Sequence, residues 1–207
     1  MAKARIVPAG NPGVPNAILD AAEAIMVEEG YAAVSARRVA DRAGIKPALL
    51  QYYFPSMDGL LLDLYRRAAD AVAVRQAKAL ASDTPLQDLW TMNADAKRTA
   101  LAIEFMALAN HRKEIKAEIS LYNERARKEQ VAVLSKHLEG KLPGNERYTP
   151  AAMSLLIAAI ARALIMEKGL GIHSGHADLR ALVVHWLQEL DKPAKAGNPP
   201  SKRPRRS

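Results

Sequence analysis

The residues most able to do chemistry lie together between Ser35 and Phe54, in the run SARRVADRAGIKPALLQYYF. Gln51 is the one amide side chain in this run, and an amide can hydrogen-bond the edge of an adenine through two atoms. Asp41 is the one acid, and it stands among four basic residues, Arg37, Arg38, Arg42 and Lys46. Clustered positive charge attracts phosphates. These residue types indicate a surface that binds nucleic acid.

The spacing within this run predicts two short helices joined by a tight turn at Gly44, the arrangement of a helix-turn-helix. Ser35 is a favourable N-cap for the first helix, because its hydroxyl can accept a hydrogen bond from a free backbone N–H. Glycine suits the left-handed residue that ends such a helix, and Pro47 suits the first position of the next one. The buried face of the first helix is predicted at Val39, Ala40 and Ala43. Helices this short are unstable alone in water, so a further helix must hold them.

The second helix of a helix-turn-helix enters the major groove, where its outward side chains meet the bases. Ile45, Leu50 and Phe54 are predicted to face the core. The outward residues are then Lys46, Pro47, Ala48, Leu49, Gln51 and Tyr52. Gln51 is predicted to read an adenine, and Ala48 or Leu49 to pack on a thymine methyl group. Phosphate contacts are predicted for Ser35, Arg37, Tyr52 and Tyr53, although Tyr53 is equally consistent with a core aromatic.

Hydrophobic periodicity predicts helices along the whole chain and no strand, so the expected fold class is all-α. Besides the helix-turn-helix at 35–54, helices are predicted at 16–29, 57–81, 86–93, 95–110, 113–139, 149–168 and 177–190. Four parts are expected. They are a flexible arm at 1–15, a three-helix head with the helix-turn-helix at 16–72, a larger helical ligand-binding and dimerisation domain at 73–191, and a disordered basic tail at 192–207.

Composition bounds the class of protein. With 207 residues, 49% of them hydrophobic, the chain can bury a sizeable core. The absence of cysteine excludes disulfides, thiolate metal sites and cysteine nucleophiles. Most of the net charge of +8 lies in the tail, which has six basic residues and no acidic one, whereas residues 1–72 hold eight basic and eight acidic residues. A basic tail could attract DNA weakly or simply aid solubility, and it leaves open a second class, a non-specific nucleoid-type DNA-binding protein.

The arrangement of charge within the head favours DNA binding more than its total does. The first predicted helix carries the acids Asp20, Glu23, Glu28 and Glu29, whereas the basic residues cluster on the helix-turn-helix. We expect this separation to concentrate positive potential where phosphates would lie.

One stretch, residues 150–166, is apolar enough to raise the question of a membrane. It is shorter than the ~20 residues that a spanning helix usually needs. It also contains Ser154 and Arg162 and is rich in alanine, so a buried or interface helix is expected. No basic-then-apolar secretory signal opens the sequence. The expectation is a cytoplasmic protein without a membrane partner.

Motifs for catalysis or metal binding are missing from the sequence. The five histidines do not form a His-Glu-x-x-His motif, and His173 and His176, which flank a glycine turn, are too few for a metal site. There is no glycine-rich phosphate loop and no Gly-x-Ser-x-Gly motif. We therefore expect no enzyme, no cofactor and no metal; a helical enzyme is the least favoured alternative.

The order and spacing of these residues resemble the DNA-binding domain of TetR-type (TetR/AcrR family) transcriptional repressors, over residues 18–65. The matching features are Ile18-x-x-Ala21-Ala22, Gly30-Tyr31, Val39-Ala40-x-x-Ala43-Gly44-Ile45, Tyr52-Tyr53-Phe54 and Leu60-Leu61. Three positions depart from the family pattern, with Lys46 for the usual Ser or Thr, Gln51 for Tyr, and Met57 for Lys. The first two bear on which bases are read, and the third removes a common contact to the DNA backbone.

The resemblance implies a homodimer that binds an inverted-repeat operator and leaves it when a small-molecule effector binds. The candidate dimer interface is Leu156, Ile160, Leu164, Leu182, Trp186 and Leu190, with a purely intramolecular bundle as the alternative. The candidate ligand pocket is Trp90, Phe105, Met106, Tyr122, Met153 and Arg162, although each alone could be ordinary core. By analogy the effector would be apolar or amphipathic. Arg162 is expected to pair with a carboxylate such as Glu104, or with an acidic group of the ligand.

Overall fold

The computed structural model describes residues 13–139 and 149–192, which contain helices and turns but no strand. The elements are α1 (Gly13–Glu29), the 3-10 turn η1 (Tyr31–Ala33), α2 (Ala36–Arg42), α3 (Pro47–Tyr53), α4 (Met57–Leu80), α5 (Pro85–Asn93), α6 (Ala96–Ala109), α7 (Lys113–His137), α8 (Pro150–Gly169) and α9 (His176–Asp191). The predicted all-α fold class is confirmed, and the predicted helix ends are within three residues of those observed.

The start of α1 corrects one prediction. Residues 13–15, assigned from the sequence to a flexible arm, are helical. Pro15 lies in the first turn of α1, where a backbone N–H has no intrahelical partner and its absence costs nothing. The rest of the predicted arm, and the predicted tail beyond Lys192, lie outside the described residues.

The turn between α2 and α3 has the predicted geometry. Gly44 has a φ of 66°, the left-handed conformation that glycine adopts without a Cβ penalty. Pro47 is the first residue of α3, as predicted. Ser35 occupies the N-cap position of α2 with extended backbone, but its side chain makes no capping hydrogen bond. The predicted position of the cap is therefore right and the predicted bond is absent.

Two compact units divide the chain. The first contains the described residues up to Gln76 together with Ala94–Ala126. Its core joins α1 to α4 with α6 and the start of α7, through side chains that include Ile18, Ile25, Met26, Val39, Leu50, Leu60, Leu64, Leu101, Phe105, Leu108 and Ile115. This packing differs from the boundary expected at residue 72, because apolar residues of α6 complete the core of the head.

The second unit contains Ala77–Asn93 and the described residues from Arg127 onward. Its core is built from α5, α8, α9 and the end of α7, through Leu86, Leu89, Trp90, Leu134, Met153, Ile157, Leu164, Val183 and Leu187. Asp191, at the end of α9, accepts hydrogen bonds from the backbone N–H groups of Leu86 (3.3 Å) and Gln87 (3.0 Å). This carboxylate therefore caps the start of α5 from a residue more than a hundred positions away.

Helix α8 is longer than the apolar stretch read from the sequence. It has 20 residues and a mean hydropathy of 1.6 over its most apolar window, so by length and composition alone it could cross a membrane. Only 28% of that window is buried within one copy of the chain. The exposed residues of α8 include Leu155, Leu156 and Met166. An apolar helix with so much exposed surface is equally suited to pack against another protein chain.

Candidate nucleic-acid interface

Helix α3 presents one face to the core and the other to solvent. Leu50 is 2% exposed, and full burial of a leucine contributes about 2 kcal/mol to stability, which anchors this seven-residue helix. Phe54 is also buried, and Ile45 packs partly against the same core. The six residues predicted to face outward are all exposed: Lys46, Pro47, Ala48, Leu49, Gln51 and Tyr52. A protruding helix with this division of its faces can enter a groove of duplex DNA.

Gln51 makes a hydrogen bond that the sequence did not suggest. Its Nε2 donates to the carbonyl oxygen of Pro55 at 2.9 Å. An amide carries two N–H donors and a carbonyl acceptor, so one N–H and the Oε1 stay available. These are the two atoms needed for the paired contact to an adenine. The bond to Pro55 therefore fixes the amide without using up its capacity to read a base.

The predicted separation of charges in the head is replaced by ion pairs. Arg42 makes two hydrogen bonds of 2.7 Å to the carboxylate of Glu28, and Arg38 pairs with Glu29. The hydrogen bond from Arg42 lowers the pKa of Glu28 below its usual value. Because α1 packs beside α2, its acids neutralise these two arginines instead of lying apart from them. The positive potential expected over the helix-turn-helix is therefore partly offset by these acids.

The positive charges of Arg37 and Lys46 are less offset by carboxylates than those of Arg38 and Arg42. Arg37 has a side chain that is 91% exposed, and its nearest carboxylate, on Asp41, is 4.0 Å away. Lys46 is exposed at the N-cap of α3, with no capping bond from its side chain. An exposed pair at such a distance contributes little, so Arg37 can exchange Asp41 for a phosphate. Both residues therefore stay candidate contacts to DNA phosphates.

The two tyrosines at the end of α3 differ in exposure. Tyr52 is 56% exposed, whereas Tyr53 is half-buried and packs against the core of the first unit. Their rings meet edge to face, with centroids 5.2 Å apart. Tyr52 is thus free to meet DNA, and Tyr53 combines a core contact with partial exposure.

Helix α6 is tied to the head by a contact that sequence reasoning missed. The backbone N–H of Tyr31 donates to Oε2 of Glu104 at 2.7 Å, directly after Gly30, which has a φ of 85°. The expected pairing of Glu104 with Arg162 stays a prediction, because the two residues belong to different units. Arg162 is half-buried on α8. No sequence signal marks this contact, since the two bonded residues are 73 positions apart.

The six candidate pocket residues do not fall into one unit. Phe105, Met106 and Tyr122 belong to the first, and Trp90, Met153 and Arg162 to the second. Phe105, Trp90 and Met153 are buried core residues, whereas Met106 is 46% exposed. Tyr122 contacts Asp70 through its hydroxyl at 3.4 Å, and burial and Asp70 raise its pKa. The ring of Tyr65 lies 5.9 Å away, and burial raises the pKa of Tyr65 to about 12.

The candidate dimer residues are mostly available to a partner. Leu156 is 44% and Leu182 is 64% exposed, while Ile160, Trp186 and Leu190 are half-buried. Leu164 is only 4% exposed and belongs to the core of the second unit. It is buried within one copy of the chain, so the exposed face of α8 instead includes Leu155, Ala159, Ala163 and Met166.

Comparison with known proteins finds a family and a relative that are similar to the head in sequence. The family described as bacterial regulatory proteins, tetR family, matches residues 18–64. The HTH-type transcriptional repressor KstR of Mycobacterium tuberculosis is 39% identical over 97 residues, which make up 44% of each chain. The chain thus matches under half the length of that relative.

Solved structures extend the similarity to most of the chain. A TetR transcription regulator from Haloarcula marismortui superposes with a TM-score of 0.67 at 14% identity, over 84% of this chain and 96% of that one. The fatty acid degradation regulator FadR from Bacillus halodurans superposes with a TM-score of 0.63 at 18% identity, over 88% and 96%. At these identities the similarity shows the fold. Residues 18–64 thus match the tetR family, and most of the chain shares the fold of solved regulators of that type.

Proposed function

We propose that the protein is a sequence-specific transcriptional repressor, which binds an inverted-repeat operator as a homodimer and is released by a small-molecule effector. The observation that carries the proposal is the exposed face of α3, from Lys46 to Tyr52, on a helix whose other face is fixed in the core by Leu50. Lys46, Gln51 and Tyr52 supply a phosphate contact, a base contact and a second phosphate contact on one rigid element.

Pairing of two copies follows from the size of the head. A single short helix in one groove buries little surface, whereas two recognition helices spaced about 34–36 Å apart reach successive major grooves. The exposed apolar faces of α8 and α9 supply a surface for that pairing, through residues such as Leu156 and Leu182. The dimer would bind DNA in the cytoplasm.

Release by an effector requires two states with different affinities for the ligand. A ligand that binds more tightly to the dimer when its two recognition helices are spaced unsuitably for the operator lowers the DNA-bound population. The size of the effect is set by the difference in the ligand's affinity for the two states. The candidate contacts remain Trp90, Phe105, Met106, Tyr122, Met153 and Arg162. An apolar or amphipathic effector suits these side chains, and the structural relative from Bacillus halodurans is itself described as regulating fatty acid degradation.

A non-specific nucleoid-type protein is the competing proposal, and the head gives it little support. Such a protein needs broad positive charge, yet residues 1–72 hold as many acidic as basic residues. A sequence-specific repressor needs few cations and a reading face, which α3 provides.

A mobility-shift experiment separates these proposals. The DNA immediately upstream of the gene is searched for an inverted repeat, and the purified protein is mixed with that fragment and with unrelated competitor DNA. We expect a shift that resists at least a hundredfold excess of competitor, because specific binding typically exceeds non-specific binding by about 10³ or more. Equal competition by unrelated DNA at all salt concentrations would support the nucleoid proposal.

Replacing Gln51 with alanine should relax the sequence preference at one base pair of each half-site. The expected loss is about 1–3 kcal/mol for the preferred base, because the paired amide contact is removed. Selection of binding sites from random duplexes measures the preference for both proteins. Asn123→Ala serves as a control that removes an exposed amide from α7, outside the proposed DNA-binding face. An unchanged consensus for Gln51→Ala would show that Gln51 reads no base.

A further inference from the structure

A cleft of about 530 Å³ opens on the first unit, beside the helix-turn-helix but not on α3. Four elements line it: η1, the start of α2, the first turn of α4, and the end of α6 with the residues that follow. Its polar residues are Ser35, Asp58, His111 and Arg112. The cleft therefore brings Arg112, which is far from the head in sequence, to the same surface as Ser35, a predicted phosphate contact.

The cleft is open, which favours an extended partner over an enclosed small molecule. Ser35, Asp58, His111 and Arg112 are all exposed. A site for a small organic ligand usually buries about 70–90% of the ligand, and this rim cannot do so. A DNA backbone that passes Ser35 needs no enclosure. The cleft is also continuous with the proposed DNA-binding face, because Ser35 belongs to both.

Arg112 is held loosely enough to change partners. Its Nε donates to Oδ1 of Asp58 at 3.0 Å, and its Nη1 donates to the carbonyl oxygen of His111 at 3.4 Å. The side chains of Arg112 and Asp58 are 48% and 57% exposed, and pairs exposed to this extent contribute little to stability. A guanidinium has five N–H donors, so several remain for an incoming oxygen. The neighbouring Lys113 is exposed and adds positive charge at the same place.

We propose that Arg112 contacts a backbone phosphate of the bound operator, and that Asp58 holds and partly neutralises it in the free protein. This rests on the proposed function, since it assigns a further contact to the same complex. The contact comes from the link between α6 and α7, outside the domain matched by the family, so the sequence motif could not reveal it. Met57, which replaces the lysine usual at the start of α4, lines the same cleft and supplies no charge there.

The test measures operator affinity against salt for the full-length protein, with a duplex selected from random sequence by the wild type. Each phosphate contact contributes about 0.9 to the slope of log affinity against log salt. Arg112→Gln should lower that slope by about one for each bound chain and weaken binding roughly eightfold per contact at 0.1 M salt. Arg112→Lys should retain the slope, because it keeps the charge. Lys128→Gln removes one exposed charge from α7 outside the cleft and should leave the slope unchanged.

Asp58→Asn gives a change in the opposite direction. Loss of this carboxylate frees Arg112, so affinity should rise by about 1.5- to 5-fold, the equivalent of an exposed ion pair. Thermal unfolding of each variant confirms that it is folded. Loss of structure would weaken DNA binding, so a gain in affinity argues against a merely structural role of the pair.

The possible results divide clearly. If Arg112→Gln matches Lys128→Gln in slope and affinity, or if Asp58→Asn weakens binding, the phosphate contact is wrong while the proposed function stands. If Arg112→Gln binds DNA like the wild type but no longer responds to an effector, the cleft is an effector site and the proposal is overturned. If the wild type selects no duplex at all, the proposed function fails and this contact falls with it.

Discussion

Replacing Leu182 with glutamate is expected to convert the protein to a monomer and to weaken operator binding by about a hundredfold or more. Leu182 is 64% exposed on α9 in a single copy of the chain, so the substitution removes almost no packing within that copy. In a dimer it would bury a carboxylate with no partner, which costs several kcal/mol. Loss of pairing then removes the gain from binding two half-sites at once.

The matched control is the same substitution at Leu121. This leucine is 65% exposed on α7, so Leu121→Glu changes charge and apolar surface by the same amount. Sedimentation equilibrium gives the mass of each variant, and a mobility shift gives its affinity for the operator. Leu121→Glu should remain a dimer with the affinity of the wild type. A Leu182→Glu protein that is still dimeric would show that α9 is not the interface.

Local signals were sufficient to predict the helices and the turn of the head. Gly44 and Pro47 act on their own backbone, and their effect does not depend on the rest of the fold. Leu50 was recognisable as core because the spacing of apolar residues determines which side of a helix is buried. The outward face from Lys46 to Tyr52 therefore follows from the spacing of apolar residues alone.

Side-chain partners between elements could not be predicted in the same way. Arg42 and Glu28 are 14 residues apart, and their pairing depends on how α2 crosses α1. The charges were visible in the sequence, but the crossing that joins them was not. Glu104 reaches the head from α6, and Arg112 does so from the third residue after that helix. The periodicity of a single helix does not show which residues of other elements its polar side chains will contact. The predicted separation of charge failed for this reason.

Replacing Asp191 with alanine is expected to lower the free energy of unfolding by about 3 kcal/mol. The Asp191 side chain is 2% exposed, and one of its oxygens lies 2.9 Å from Nε2 of His137. The carboxylate also accepts from the side-chain Nε2 of Gln87 at 3.2 Å, in addition to two backbone N–H groups of α5. Alanine would leave these donors buried without an acceptor, and an unsatisfied buried donor costs about 1–3 kcal/mol. Because such costs are not additive, the expected total is well below their sum.

Glu189→Ala provides the control for the Asp191 variant, since it removes a carboxylate two residues earlier on the same helix. Glu189 pairs with Lys192, and both side chains are at least half exposed, so its loss should cost less than about 1 kcal/mol. Urea unfolding at a fixed protein concentration compares the midpoints, which removes the effect of association on stability. His137→Ala should lower the free energy of unfolding by only part of the amount lost in Asp191→Ala, because the hydrogen bonds from α5 to Asp191 remain in that variant. If Asp191→Ala were as mild as Glu189→Ala, the carboxylate would not be what holds the start of α5.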